Sequence, residues 1–499
     1  MRRILLSTLL LLTCGLTAFV PQHGLISPTA VISVTAYLGS TGVGTSGNGN
    51  AGYAIFVPFI TPPPSYGNIT VSSLGQWVGS AATANWGLAL YANSPTKGVL
   101  SVSNGTLSWV SGSKFSTLWC LSSGCAQINI NGQTCTLSSV TDTTTAAFNT
   151  SACTIPSETN VSYEVDLPGS LICEVDSSTA PSNGFSETSV SGCGNLSAKT
   201  MYWVSGLTMS NTQDAGIENQ GSTCVGGLTD YWLNTAVGSF TSFASSVGNN
   251  PAVYAGIDGC STYYAVISYK SANPYNIIQN PHTPETSTTT NLTITFPNFG
   301  SGHRMRGVVF VNASPLPTIN SVYDCTGGNQ CSSSTDTISL VGSCSSITYD
   351  AMCFFGADSV TSGINTLTVN LSGGAHVFVY LQEITGPCSS SCLDQSSYTS
   401  TQQGTPFTWP PSALTLAQST EFALGAAWYT ATGDEYDGRT FLGSGNWSTY
   451  SGFNNEGAGI VSPIGIFYQT TTSNSLQLMG TFQPSGGSNI FPGGVATWK

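Results

Sequence analysis

The densest group of carboxylates in this 499-residue chain is Thr432-Gly-Asp-Glu-Tyr-Asp-Gly438. Asp434, Glu435 and Asp437 place three hard oxygen donors on one short segment, with Gly438 free to turn, which is the ligand type that Ca²⁺ takes. The spacing is not that of an EF-hand loop, so the same residues also suit an ordinary solvated turn. Trp428, Tyr429 and Tyr436 surround the acidic residues. Their flat faces could stack on sugar rings, which makes the segment a candidate metal and carbohydrate-binding site with Ca²⁺ as its cofactor.

Glu383 is the nearest thing to a catalytic candidate. In the extended stretch from Ala375 to Gly386, AHVFVYLQEITG, Val377, Val379, Leu381 and Glu383 fall on one face, and Phe378 and Tyr380 on the other. A carboxyl at the end of an apolar face loses hydration, which favours its neutral form and suits it to acid or base work. Glycosidases use such a group with a second carboxylate roughly 5 to 10 Å away. Glu421 and Glu456 are the residues that would have to fold beside it. The competing reading is a strand that leaves its sheet after Leu381 and exposes Glu383. The residues favour a non-enzymatic role over an enzymatic one.

Other chemistries have less to work with. The four histidines, His23, His282, His303 and His376, form neither an HExxH nor an HxH pair. No GxSxG elbow is present. No CxxC occurs, which argues against zinc knuckles and thioredoxin-like redox sites. Gly42-Val-Gly-Thr-Ser-Gly47 matches GxGxxG, but the Asn48-Gly-Asn-Ala-Gly52 that follows opens a helix poorly.

Composition narrows the setting. Charged residues make up 7% of the chain, against about 25% in typical soluble proteins. No Asp or Glu precedes Asp142, and only eight Lys and Arg follow Arg2 and Arg3. Neutralising a phosphate backbone needs more cations than that, so nucleic acid is excluded as a partner. A surface of Ser, Thr, Asn and Gly fits glycosylation, burial in an assembly, or surroundings acidic enough to neutralise carboxylates.

Residues 1–20 read as a secretory leader, with Arg2 and Arg3 before the apolar Ile4 to Leu12. No apolar run of 18 or more residues follows, so a mature chain without a transmembrane segment, extracellular or at the cell surface, is expected. Leu11-Leu12-Thr13-Cys14 is similar to a bacterial lipoprotein box, which would anchor the chain at Cys14. The alternative is a cysteine discarded with the leader.

The other fourteen cysteines fall into two even groups, eight between Cys120 and Cys260 and six between Cys325 and Cys392. Even groups in a secreted chain imply disulfides. Nearest-neighbour pairing gives Cys120 with Cys125, Cys135 with Cys153, Cys173 with Cys193, Cys224 with Cys260, Cys325 with Cys331, Cys344 with Cys353, and Cys388 with Cys392. Between the groups, Asn280 to Thr290 has the Pro and Thr content of a linker. Short β-branched and aromatic runs separated by Gly, Asn, Ser and Pro fill both sides, with no capped 3.6-residue apolar period. The expectation is an all-β protein: two antiparallel, disulfide-bridged sandwich or jelly-roll domains at 30–275 and 291–499, joined by a Pro/Thr linker at 276–290. Asn68, Asn104, Asn149, Asn160, Asn195, Asn291, Asn312, Asn370 and Asn446 head Asn-x-Ser/Thr sequons, so a glycoprotein is in view.

Leu88-Ala-Leu-Tyr-Ala-Asn-Ser-Pro-Thr-Lys-Gly-Val-Leu100 resembles a strand and turn of secreted bacterial sandwich domains. Residues 291–498, with Gly363-Ile-Asn-Thr-Leu-Thr-Val-Asn370, Tyr380-Leu-Gln-Glu-Ile-Thr-Gly386 and Phe422-Ala-Leu-Gly-Ala426, resemble secreted Ig-like or jelly-roll modules of unassigned function. This resemblance implies fold and secretion, and carries no catalytic residues over. Val253-Tyr-Ala-Gly-Ile-Asp-Gly259 is similar to a segment of acid-acting glutamic peptidases, which implies a catalytic Gln and Glu pair that the sequence does not locate. The function expected is therefore a secreted structural or adhesion protein of the cell surface or extracellular matrix, whose partner is a second copy of itself in a polymer. The alternative is a protein that binds or cleaves cell-surface polysaccharide through the acidic loop, and beyond it an acid-stable hydrolase using Glu383.

Overall fold

The fold is known from a computed structural model. It describes residues 31–499 except 42–44, 47–51, 63–66, 79–85, 122–123, 149, 151–152, 154, 178–182, 209–215, 219–230, 235–242, 249–250, 254–259, 274, 283–287, 347–348, 389–390, 400–406, 429–439, 444–446, 454–463 and 484–492. The described residues are almost all β, and their only helical turn is the 3-10 segment Thr117–Trp119. No helix among them is long and apolar enough to cross a membrane.

In the first half, sheet I runs in the order Ile32–Gly39, Tyr263–Ser271, Ile69–Val78, Gly184–Ser189. Sheet II runs Pro168–Ser177, Trp86–Asn93, Met201–Thr208, Tyr53–Ile60, Tyr231–Asn234, Ala252–Val253. Val34, Ala36, Ala265 and Ile267 of sheet I meet Val57, Leu88, Leu90 and Val204 of sheet II in one core. The opposite face of sheet II carries Phe56, Tyr91, Trp203 and Tyr231, packed with Leu100, Leu107 and Ile128. Those three belong to a closed six-stranded barrel spanning Thr96 to Val165. The barrel is inserted between Trp86–Asn93 and Pro168–Ser177, which pair with each other. Sheet II is thus covered on both faces, which explains why YAIFVPFI and WGLALYAN are nearly continuous apolar runs. Gly206 takes part in this packing: a Cβ there would lie 2.0 Å from the Tyr263 ring, so only glycine lets that ring lie across the strand.

The second half is a stack of four sheets. Thr366–Ile384 is a single 19-residue strand that serves two of them. Its first part pairs with Thr289–Thr295 and Ile319–Cys325 in sheet III. Beyond Gly373 and Gly374 it pairs with Arg304–Asn312 in sheet IV, which continues to Asp350–Ala357. Val377, Val379 and Leu381 face Leu292, Ile294, Leu367 and Val369 of sheet III. Phe378 and Tyr380 face Leu424, Ala426, Ile466, Ala496 and Trp498 of sheet V. Sheet V has the order Leu393–Thr399, Gly493–Trp498, Phe422–Trp428, Ile464–Thr470, Ser448–Phe453. Its far face, with Ala423, Phe467 and Val495, meets Trp409 and Leu478 of sheet VI, whose strands are Phe407–Thr415, Ser475–Gln483 and Thr440–Gly443.

The all-β, disulfide-bridged expectation holds, and the extended stretch expected from Ala375 belongs to the longer strand Thr366–Ile384. Six of the expected cysteine pairs stand at bonding distance: Cys120–Cys125, Cys135–Cys153, Cys173–Cys193, Cys325–Cys331, Cys344–Cys353 and Cys388–Cys392. Cys224 lies outside the described residues, as does the Cys260 side chain. The segment expected to be a linker differs. Ile277–Gln279 is a strand that joins the end of Thr366–Ile384, and the Leu381 amide donates to Pro281 O at 2.8 Å. Asn276 is buried, and donates through its side chain to Asn273 O (2.7 Å) and to the Thr385 hydroxyl (3.2 Å). Pro and Thr content marks backbone that resists helix, and an edge strand accepts the same residues. Phe185 of sheet I packs on the core between sheets III and IV, so the two halves touch.

Candidate functional site

Glu383 lies where strand parity places it, at the end of the apolar face of Val377, Val379 and Leu381, and it has no exposed surface. The strand does not leave its sheet at Leu381: Glu383 pairs with Met305 on one side and Gln279 on the other. Three donors converge on its carboxylate. Gly300 N donates to Oε1 at 2.6 Å, His303 Nδ1 to the same oxygen at 2.5 Å, and Gln279 Nε2 to Oε2 at 2.6 Å. Because a carboxylate only accepts, Nδ1 is the nitrogen of His303 that carries the proton here. Gln279 Nε2 also donates to Pro297 O at 3.0 Å. Glu383 therefore ties together three segments remote in sequence: the strand Ile277–Gln279, the turn around Gly300, and its own strand.

The opposite face of sheet IV, at this same end, is held by cations, since Arg304 and Arg306 flank the Met305 that pairs with Glu383. Arg306 is fully buried. Its Nη1 donates to Met305 O (2.8 Å) and Ala357 O (2.7 Å), and its Nη2 to Asp358 Oδ1 (3.1 Å). Burial, only partly offset by the Asp358 charge, pushes the guanidinium down to about 10. It also lies over the Trp498 ring at 5.0 Å, which fastens sheet IV to sheet V. Asp358 Oδ2 accepts from Cys392 N at 3.0 Å, and Arg304 Nε donates to Cys388 O, so both arginines serve the short disulfide loop.

As chemistry, the Glu383 group is closed. Three of the carboxylate's roughly four acceptor directions are filled, and a substrate could reach it only by displacing Gly300 or His303. Gln279 is equally buried. Gln279 and Glu383 both face the inside of the stack. Glu421 lies in front of sheet V, in another layer, and Glu456 lies outside the described residues. Two surface cavities lie elsewhere. One, of about 310 Å³, is lined by Val322, Tyr323, Ser334 and Asp336. The other, of about 240 Å³, lies between barrel and sheet II and is lined by Asn129, Glu164, Asp166, Trp203 and Tyr231. Trp203 and Tyr231 are each 2% exposed, so their ring faces belong to the core and offer no stacking platform.

The acidic loop, with Asp434, Glu435 and Asp437 as well as Tyr429 and Tyr436, lies outside the described residues, and so does the Trp428 side chain. No group of three or more metal-ligating side chains occurs among the described residues. Among the sequons, Asn68, Asn104, Asn160, Asn195 and Asn291 are exposed, while Asn370 is half-buried with its amide on Ser321 Oγ at 3.0 Å. Asn312 is buried and donates its amide to Asp350 Oδ1 at 2.6 Å, which leaves no room for a glycan. Asn149 and Asn446 are outside the described residues.

Sequence reasoning missed Gln279, His303, Arg304 and Arg306. The one available signal was His303-Arg-Met-Arg306, a cationic stretch in a chain with few cations. Comparison with protein-family models, with curated proteins and with solved structures finds no match to this chain.

Proposed function

We propose that this is a secreted, non-enzymatic structural or adhesion protein of the cell surface or extracellular matrix, which assembles with copies of itself. The observation that carries the reading is the use made of its charges. Glu383, Arg304 and Arg306 all spend their hydrogen bonds on holding strands and a disulfide loop in place. The surface left to solvent is largely Ser, Thr and Asn, and such surfaces pack together with little charge desolvation. Six local disulfides suit the oxidising conditions outside the cell.

The self-assembly part rests on an edge. Thr289–Thr295, TTNLTIT, borders sheet III with, among the described residues, a partner strand on one side only. It carries no charge and no proline, the devices by which edge strands commonly resist pairing with other chains. A second chain could add there through backbone hydrogen bonds, with β-branched side chains alternating across the junction. Light scattering after size exclusion, with electron microscopy, on protein from its native extracellular fraction tests the reading. Polymers or sheets are expected. A clean monomer that binds polysaccharide in a Ca²⁺-dependent way would replace it with the sugar-binding alternative.

A further inference from the structure

Two other carboxyl groups are buried against carboxyl groups. Asp324, in Ile319–Cys325, has no exposed surface. Its Oδ1 accepts from Ser334 Oγ at 2.6 Å and from the amides of Thr335 and Asp336 at 2.9 Å each. Its Oδ2 is buried and meets no donor among the described residues. What lies against this carboxyl is the side chain of Asp336. Asp336 is itself fixed, with Oδ1 and Oδ2 accepting from Thr361 Oγ1 (2.7 Å) and Thr361 N (2.8 Å). Glu421, before Phe422–Trp428, repeats the arrangement in sheet V. It has no exposed surface, its Oε1 accepts from Gln418 N at 3.1 Å, and its Oε2 is buried and meets no hydrogen-bond partner among the described residues. The Thr497 hydroxyl and the side chain of Asp394 lie against it. Asp394 is held by the Ala417 amide at 2.8 Å.

A carboxylate can only accept, so two of them side by side give each other no hydrogen bond, leave Asp324 Oδ2 and Glu421 Oε2 unsatisfied, and repel as well. One hydrogen removes both penalties. We propose that Asp324 with Asp336, and Glu421 with Asp394, are proton-sharing pairs in which Asp324 Oδ2–H and Glu421 Oε2–H donate to the facing carboxyl, locking the second half of the protein in acid. Burial is the main cause that raises Asp324 and Glu421, and the neighbouring carboxyl adds to it. The charged group facing Asp324 is Asp336. Glu421 faces Asp394 and the Tyr275 hydroxyl, beyond which stand Arg304 and Arg306. A cation fits Asp324 less well than a proton, because three donors already ring its other oxygen and a cation needs acceptors.

A folded-state value above the unfolded one means that the pair's stabilisation is complete below the ordinary carboxyl range and is lost as pH rises through the folded value. Burial raises Asp166 and Glu187 in the same direction. A charge-poor extracellular protein built this way is suited to acidic surroundings.

Denaturant unfolding of the full, disulfide-intact chain from about pH 3 to about pH 8 tests this, with Asp324→Asn, Glu421→Gln and the double variant beside the wild type. Each amide supplies a fixed N–H where the proposal places the shared hydrogen. The wild-type folding constant should fall with rising pH, by up to about tenfold per pH unit for each pair. Each single variant should remove one such factor, and the double variant two. Wild-type pH dependence retained in the variants would overturn the proposal. So would a wild type that Ca²⁺ alone stabilises at neutral pH, since a cation would then hold the pairs. If a variant does not fold, infrared spectra of the wild type decide: a protonated-carboxyl band persisting above the ordinary range supports shared protons, and its absence refutes them.

Discussion

Glu383 and Glu421 stand in neighbouring layers of one stack, both at strand ends and both without exposed surface, yet they are kept there by opposite means. Glu383 is met by three donors, from Gln279, Gly300 and His303. Glu421 is met by the Gln418 amide, the Thr497 hydroxyl and another carboxyl. The first arrangement stabilises negative charge and needs its donors. The second needs a hydrogen of its own. Burial alone therefore says little about what a carboxyl does; whether each of its oxygens meets a donor or one is left facing another carboxyl separates a tie between chain segments from a joint that depends on pH.

The largest effect should come from the cationic side of the same sheet. Asp358→Ala leaves the buried Arg306 guanidinium without its carboxylate, and about 3 kcal/mol of stability should be lost in denaturant unfolding. Gln279→Leu comes next: it removes one donor from Glu383 and should cost about 2 kcal/mol, while leaving in place the pH slope that the Asp324 and Glu421 pairs set. Glu421→Gln should cost less than about 1 kcal/mol near neutral pH, because its amide donates to Asp394 in place of the lost hydrogen. An equal pH response in the Gln279 and Glu421 variants would erase the distinction between the two sites. Thr290→Lys, an exposed position on the uncharged edge strand, should change stability by no more than about 0.5 kcal/mol. It should nonetheless reduce polymer formation in light scattering, because like charges then meet across the edge.

The fold was legible where the chain is most apolar. The two-faced pattern of Val377 to Leu381 predicts a strand covered on both sides, and sheets III and V cover it. Nearest-neighbour cysteines found each other because each bridge joins residues no more than 20 apart in the chain. The inserted barrel was not legible, since its strands alternate like those of any half-buried sheet and nothing in their sequence announces closure. The Pro/Thr segment misled because composition reports a dislike of helix and cannot tell a linker from an edge strand. For the site, parity placed Glu383 on the correct face. Its partners stayed hidden, because Gln279 and His303 reach it from 104 and 80 residues away. No local pattern encodes that meeting.

The claim that Glu383 is a tie within the stack, and no part of a reactive centre, is open to one direct measurement. Wild type and Glu383→Gln are compared in denaturant unfolding and, from about pH 3 to about pH 7, in hydrolysis of polysaccharide and peptide substrates. The account predicts a loss of about 2 to 3 kcal/mol in the variant and no hydrolysis by either protein. A wild-type hydrolytic activity that vanishes in the variant, with stability unchanged, would contradict it.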